Sequence, residues 1–135
     1  DITYLNDKPE SLSSEKKFDI ILNLEVVEHV EDVDLYLNSC FKLLKPKGIM
    51  FTATLNRTLT SYVKAIVGAE YILKWLPVGT HDWNKFIKPE ELEKKLTDLN
   101  FSITNLTGLS FNPFFQEWKK TKNLSVNYIL VAKKN

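Results

Sequence analysis

Glycine is scarce in this chain, and its four residues, Gly48, Gly68, Gly79 and Gly108, are too far apart to share one loop. A glycine-rich turn whose backbone amides cradle a phosphate or a dinucleotide is therefore excluded from these residues. Cysteine is scarcer still. Cys40 alone rules out an internal disulfide framework and cannot by itself build a zinc-finger type of metal site, so a reducing, intracellular setting is the default. Neither sign of charge dominates. Eighteen Lys and Arg against seventeen Asp and Glu leave a net charge of +1, and no basic stripe is interleaved with aromatics, so nucleic acid is set aside as a partner. No apolar run approaches the roughly 20 residues of a membrane-spanning helix, and no charged and apolar leader opens the chain. The first residue is Asp1, not Met, which suggests a fragment, a processed product or a trimmed chain.

What is present suits one domain with a core: 135 residues, 44% hydrophobic and 26% charged. Phe18 to Leu24 is the firmest strand, and its Ile20, Ile21, Leu22 and Leu24 suit a strand covered on both faces, as in parallel sheets. From Asp32 to Leu44 the apolar residues Val33, Leu37, Cys40, Phe41 and Leu44 recur at three and four residue spacing, which predicts a helix with Asp32 as its N-cap. Lys45-Pro46-Lys47-Gly48 should end it in a turn, and Ile49 to Leu55 reads as the next strand. Strand, helix and strand make a βαβ crossover, the mark of a parallel sheet.

Ile2 to Leu5 is a short β-rich segment, and the polar stretch Asn6 to Lys17 has room for a turn and one short helix. Thr58 to Pro77 reads as a helical insertion that Gly68 would bend or split. A loop holding Gly79 to Asp82 follows, then a helix from Pro89 to about Leu99 with Leu92, Leu96 and Leu99 buried. Phe101 to Thr107 and Val126 to Ala132 are the last strands, joined by a connection rich in aromatics: Phe111, Phe114, Phe115 and Trp118.

The chemistry-bearing residues cluster where the firmest strand ends. If a helical turn starts after Leu24, then Glu25, Glu28 and His29 share one face, and two carboxylates with an imidazole could hold a divalent metal with positions open for substrate oxygens. The plainer alternative is a Glu-rich turn in which His29 bonds a backbone carbonyl. His81 beside Asp82 could serve as an oriented general base, or be loop surface. The insertion carries Tyr71, Trp75, Lys64 and Lys74 around its apolar residues, which suits either a helix lying in a membrane interface or a helix of the domain's own core.

Six blocks then form a pattern: Phe18 to His29; Leu43 to Gly48; Thr54 to Arg57; Val67 to Leu73; Gly79 to Asp82; and Lys85 to Pro89. Together they closely resemble the ubiquinone-biosynthesis O-methyltransferases, of the class I S-adenosylmethionine-dependent superfamily. The resemblance implies an α/β fold with a Rossmann-like class I sheet, matched here only in its carboxyl-terminal part. Residues 1–135 would be the carboxyl-terminal part of one methyltransferase domain, and 58–82 a helical, membrane-associating insertion within it. The family's first two strands, its glycine-rich cofactor turn and the acidic residue after the second strand have no counterpart, and Lys47 stands where many members have glycine. The Phe18 strand would then lack its usual neighbour, leaving an apolar edge open to pairing.

By the same resemblance the reaction is methyl transfer from S-adenosylmethionine to a hydroxyl of a polyprenylated catechol or demethylubiquinol. Leu24 and, more weakly, Asn6 would contact the cofactor. Glu25, Glu28 and His29 would hold a divalent metal, magnesium being the first expectation, and His29 or His81 would take the proton in a metal-free version. The implied partners are the polyprenylated quinol or catechol, a membrane lipid surface and other quinone-biosynthesis proteins, and the implied place is cytoplasmic and peripheral on the inner membrane. These residues alone are not expected to bind S-adenosylmethionine usefully. Two other functions stay open: a noncatalytic interaction module of a quinone-synthesis assembly, and another small-molecule methyltransferase.

Overall fold

The structure, a computed structural model, describes every residue except 14, 16, 73, 75, 76, 78, 80, 81, 113 and 114. Among the described residues one five-stranded sheet organises the chain, with the order β1-β2-β5-β3-β4. β1 (Phe18–Leu24) and β2 (Leu44–Leu55) run parallel, joined by helix α1 (Val33–Leu43). β5 (Asn127–Lys134) lies antiparallel to β2 and to β3 (Phe101–Asn112), and β4 (Glu117–Thr121) pairs with β3. The expected βαβ crossover and the two closing strands are therefore present.

Local chemistry accounts for the helices. Asp32 is extended at φ −128° and its side chain accepts from the Leu35 amide at 2.9 Å, satisfying one of the free donors at the start of α1. At the other end Lys134 Nζ donates to the carbonyls of Phe41 (2.7 Å) and Leu44 (2.9 Å) while lying over the Phe41 ring. Helix α3 (Pro89–Asp98) starts on proline, with Glu90 and Glu91 in its first turn. Tyr36, Leu37 and Cys40 from α1 and Leu92 and Leu96 from α3 cover one sheet face, meeting Met50, Tyr128, Leu130 and Ala132. A fully buried leucine of this kind contributes roughly 1.5–3 kcal/mol.

Several expectations are corrected. Ile2 to Leu5 is irregular and exposed, with no strand partner among the described residues. The Asn6 to Lys17 stretch holds a turn, with no helix among its described residues. Lys45 to Gly48 is not a free turn but a bulge inside β2, since Phe18 pairs with Leu44 and Ile20 already with Ile49. Lys47 there takes φ +65°, the left-handed conformation that glycine adopts at lower cost. The insertion is helical but wider than α: after α2 (Leu59–Ser61), Tyr62–Ile72 forms a π-helix that includes Gly68 without a break. Its buried residues Ser61, Ile66 and Glu70 recur at five and four residues, the spacing of a wider helix. Strand β4 was not foreseen at all.

The largest departure concerns β1, which is covered on one face only. Ile21 and Asn23 turn toward α1, whereas Ile20, Leu22 and Leu24 are 54%, 64% and 50% exposed on the other face. Among the described residues β1 pairs with β2 alone and forms an edge of the sheet.

Candidate functional site

Chain direction places the polar residues after β1 at the carboxyl end of the parallel pair, where ligands of α/β sheets collect. Leu24, half exposed, closes β1, and Glu25 turns the chain with φ +53°, its amide donating to the Ala53 carbonyl at 2.9 Å. That left-handed step is why no helical turn starts here: the next turn spans Val26 to His29, closed by the His29 amide on the Val26 carbonyl. The expected common face of Glu25, Glu28 and His29 is thus not formed. Among the described residues no three His, Cys, Asp or Glu side chains gather where they could hold a metal.

Glu25 and Glu28 nevertheless meet. Glu28 is 2% exposed; its Oε2 accepts from Thr54 Oγ1 at 2.8 Å, while its Oε1 is buried without a hydrogen-bond partner. Burial of its carboxyl, then the charge of the adjacent Glu28, push Glu25 up to about 7. Two close carboxylates with one unpartnered buried oxygen fit a divalent cation bound by oxygen donors. His29 is exposed and stands outside that pair.

The other expected residues are scattered. Asn6 is exposed in the irregular leading segment, and His81 lies outside the described residues. Sequence reasoning missed the role of Thr54, which stands in β2, 26 residues from the Glu28 it bonds. It also missed the buried polar pair next to it: Asn23 and Thr52 are register partners on β1 and β2, and Asn23 Oδ1 and Nδ2 and Thr52 Oγ1 have no partner. The only signal was polarity inside two apolar strands.

Residues 3–106 match the family described as a methyltransferase domain. The chain belongs to that family. Two curated relatives, each called a ubiquinone biosynthesis O-methyltransferase, extend the likeness beyond the domain. That of Pelagibacter ubique (strain HTCC1062) is 57% identical over 134 residues, 99% of this chain and 56% of its own length. That of Rhodopseudomonas palustris (strain TIE-1) is 49% identical over 131 residues, 97% of this chain and 52% of its own. This methyltransferase-domain chain therefore spans about half the length of the curated relatives it matches. Solved structures agree on the fold. A Thermotoga maritima methyltransferase, described as a possible histamine N-methyltransferase, matches with a TM-score of 0.69 at 16% identity, covering 97% of this chain and 63% of that one. The magnesium protoporphyrin IX methyltransferase of Synechocystis PCC 6803 with bound SAH gives 0.64 at 19%, covering 98% and 51%.

Proposed function

We propose that this chain is the carboxyl-terminal part of an O-methyltransferase of ubiquinone biosynthesis, transferring the methyl of S-adenosylmethionine to a hydroxyl of a polyprenylated catechol or demethylubiquinol. The observation that carries this is the 57% identity over 99% of the chain to a relative bearing that name. The paired carboxylates at the strand end support it chemically.

S-adenosylmethionine would supply an electrophilic methyl, and a divalent cation held by Glu25 and Glu28, magnesium first, would supply charge that favours the ionised catechol hydroxyl. Thr54 holds one oxygen of Glu28, and the other, buried without a hydrogen-bond partner, is the one available to a cation in this reading. Leu24 offers an apolar wall one residue away, suited to the cofactor side of the crevice. His29, exposed and next to Glu28, suits the role of proton acceptor better than that of a ligand; His81 is the second candidate for that role. Asn6 remains a candidate for the adenine side. In-line attack needs mainly alignment, so holding acceptor and donor together supplies much of the acceleration.

The insertion supports the lipidic substrate. Leu59, Tyr62, Val63, Tyr71 and Ile72 are all exposed on it, suited to a membrane interface, and no helix among the described residues is long and apolar enough to cross a membrane. A peripheral, cytoplasmic place on the inner membrane follows from this reading, as does contact with other quinone-biosynthesis proteins. The open edge of β1 supports a second reading, a noncatalytic module that docks into such an assembly. The complete protein, incubated with labelled S-adenosylmethionine and a polyprenylated catechol, is expected to yield a labelled methyl ether. No transfer to that acceptor would refute the assignment, and efficient transfer only to soluble catechols would favour another small-molecule methyltransferase.

A further inference from the structure

β3 runs past the rest of the sheet. Its last pair with β5 is Leu109 with Asn127, and Asn127 sits opposite Leu55, the final residue of β2. Residues 110–112 of β3 therefore pair only with β4, and the hairpin overhangs the same end of the sheet that carries Leu24 and Glu25. From Glu117 to Lys120, β4 is exposed throughout.

What the overhang presents is unusual for a solvated strand. Phe111 and Trp118 are register partners whose rings sit 5.2 Å apart, and Trp118 is 58% and Phe115 71% exposed. Lys119, Lys120 and Lys122 accompany them against a single acid, Glu117, which lies 3.5 Å from Lys119. Trp118 and Lys120, two residues apart on one strand, share a face. Aromatic rings with lysines beside them are the composition of elements that settle at the boundary between headgroups and acyl chains.

The hairpin is also rooted against the insertion. Asn56 Nδ2 donates to the Leu124 carbonyl at 2.8 Å and Thr58 Oγ1 to the Ser125 carbonyl at 2.5 Å, tying the start of α2 to the segment that leaves β4. A Cβ on Gly108 would collide with the Asn123 backbone, so this return path packs tightly on β3. Two apolar elements thus emerge from one anchored point.

We propose that the β3–β4 hairpin is a second lipid-binding element, seating Phe111, Phe115 and Trp118 in the interface of a bilayer whose anionic headgroups meet Lys119, Lys120 and Lys122. It rests on the reading that the substrate is membrane-borne, but on residues that reading does not use. Lipid is the occupant because the lysines outnumber the acid around the aromatics, which complements an anionic surface, and because the segment leaving the hairpin is hydrogen-bonded to the start of the insertion.

The test is sedimentation of the complete protein with phosphatidylcholine vesicles, with and without phosphatidylglycerol. Three double variants are compared: F115S with W118S, K119E with K120E, and L59S with I72S. The aromatic pair is expected to lose binding to both vesicles. Reversing the two exposed lysines should leave the unfolding temperature unchanged and remove about tenfold or more of the affinity gained from the anionic lipid. If both hairpin variants bind like the parent while the insertion variant does not, the hairpin proposal is overturned and the insertion reading stands. If only the hairpin variants lose binding, the hairpin stands and the insertion reading fails. A parent that binds neither vesicle overturns both. Hairpin variants that change the oligomeric state but not vesicle binding would make the β4 edge a contact between copies of this chain and overturn the proposal.

Discussion

Replacing Thr54 with valine keeps the shape of a fully buried side chain and removes one hydroxyl, the donor 2.8 Å from Glu28 Oε2. Glu28 Oε2 then loses its donor, Oε1 is already buried without a hydrogen-bond partner, and the adjacent Glu25 carboxyl is left beside it. A hydrogen bond of this kind is worth about 1 kcal/mol between neutral groups and up to about 3 kcal/mol with a charged one, and leaving the carboxyl buried and unpaired puts the cost near the upper half, about 2 kcal/mol. For a protein of the relatives' size this lowers Tm by roughly 4–8 °C. No cavity contributes, since valine fills the same volume. Urea unfolding of the complete protein measures the stability, and titration with Mn²⁺ followed by electron paramagnetic resonance measures how well Glu28 is held for a cation. Thr54→Ser, which restores the hydroxyl, is expected to recover most of the metal affinity. The reasoning fails if Thr54→Val is as stable as the parent, or if Thr54→Ser loses metal affinity as fully as Thr54→Val.

Three further outcomes follow from the same structure. Glu25→Gln with Glu28→Gln in the complete protein should abolish dependence on a divalent ion; unchanged activity and metal affinity in that double variant would sink the carboxylate assignment. A preparation confirmed by intact mass to contain only these 135 residues should show no micromolar binding of S-adenosylmethionine by calorimetry, because no glycine-rich turn is among them; such binding would refute this. Burial pushes the Cys40 thiol up to about 11 and the neighbouring Tyr36 hydroxyl upward as well. Native Cys40 therefore keeps its proton between about pH 9 and 11 while the unfolded thiol loses it, so stability should fall as pH rises through that window. Cys40→Ala should reduce the alkaline loss in thermal melts, and an equal loss in both proteins would count against it.

Local periodicity made much of the fold legible. Apolar spacing from Val33 to Leu44 predicted α1 and Asp32 its cap, and Pro89 with Glu90 and Glu91 marked the start of α3. Both signals reside in residues close together along the chain. β4 was hidden because Glu117 to Thr121 has no apolar alternation of its own; only pairing with β3 makes it a strand. The Lys45 to Gly48 bulge was hidden for a similar reason, since it depends on where Phe18 and Ile20 find their partners.

The site divides the same way. The place of Leu24 and Glu25 at the end of a strand, with Glu28 in the turn after it, was readable, but a shared face with His29 assumed a helix that the left-handed φ of Glu25 prevents. The apolar run Ile20 to Leu24 suits cover on both faces, and among the described residues the face carrying Ile20, Leu22 and Leu24 is exposed.

By itself the sequence determined the βαβ unit, the Asp32 cap of α1, the start of α3 at Pro89 and the family, because each lives in local spacing or in blocks of contiguous residues. Only the tertiary structure decided that Thr54 holds Glu28, that Asn23 lies beside Thr52, and that the hairpin aromatics share an end of the sheet with the carboxylates. Those contacts join residues far apart in the chain, and strand register, which no local pattern encodes, brings them together.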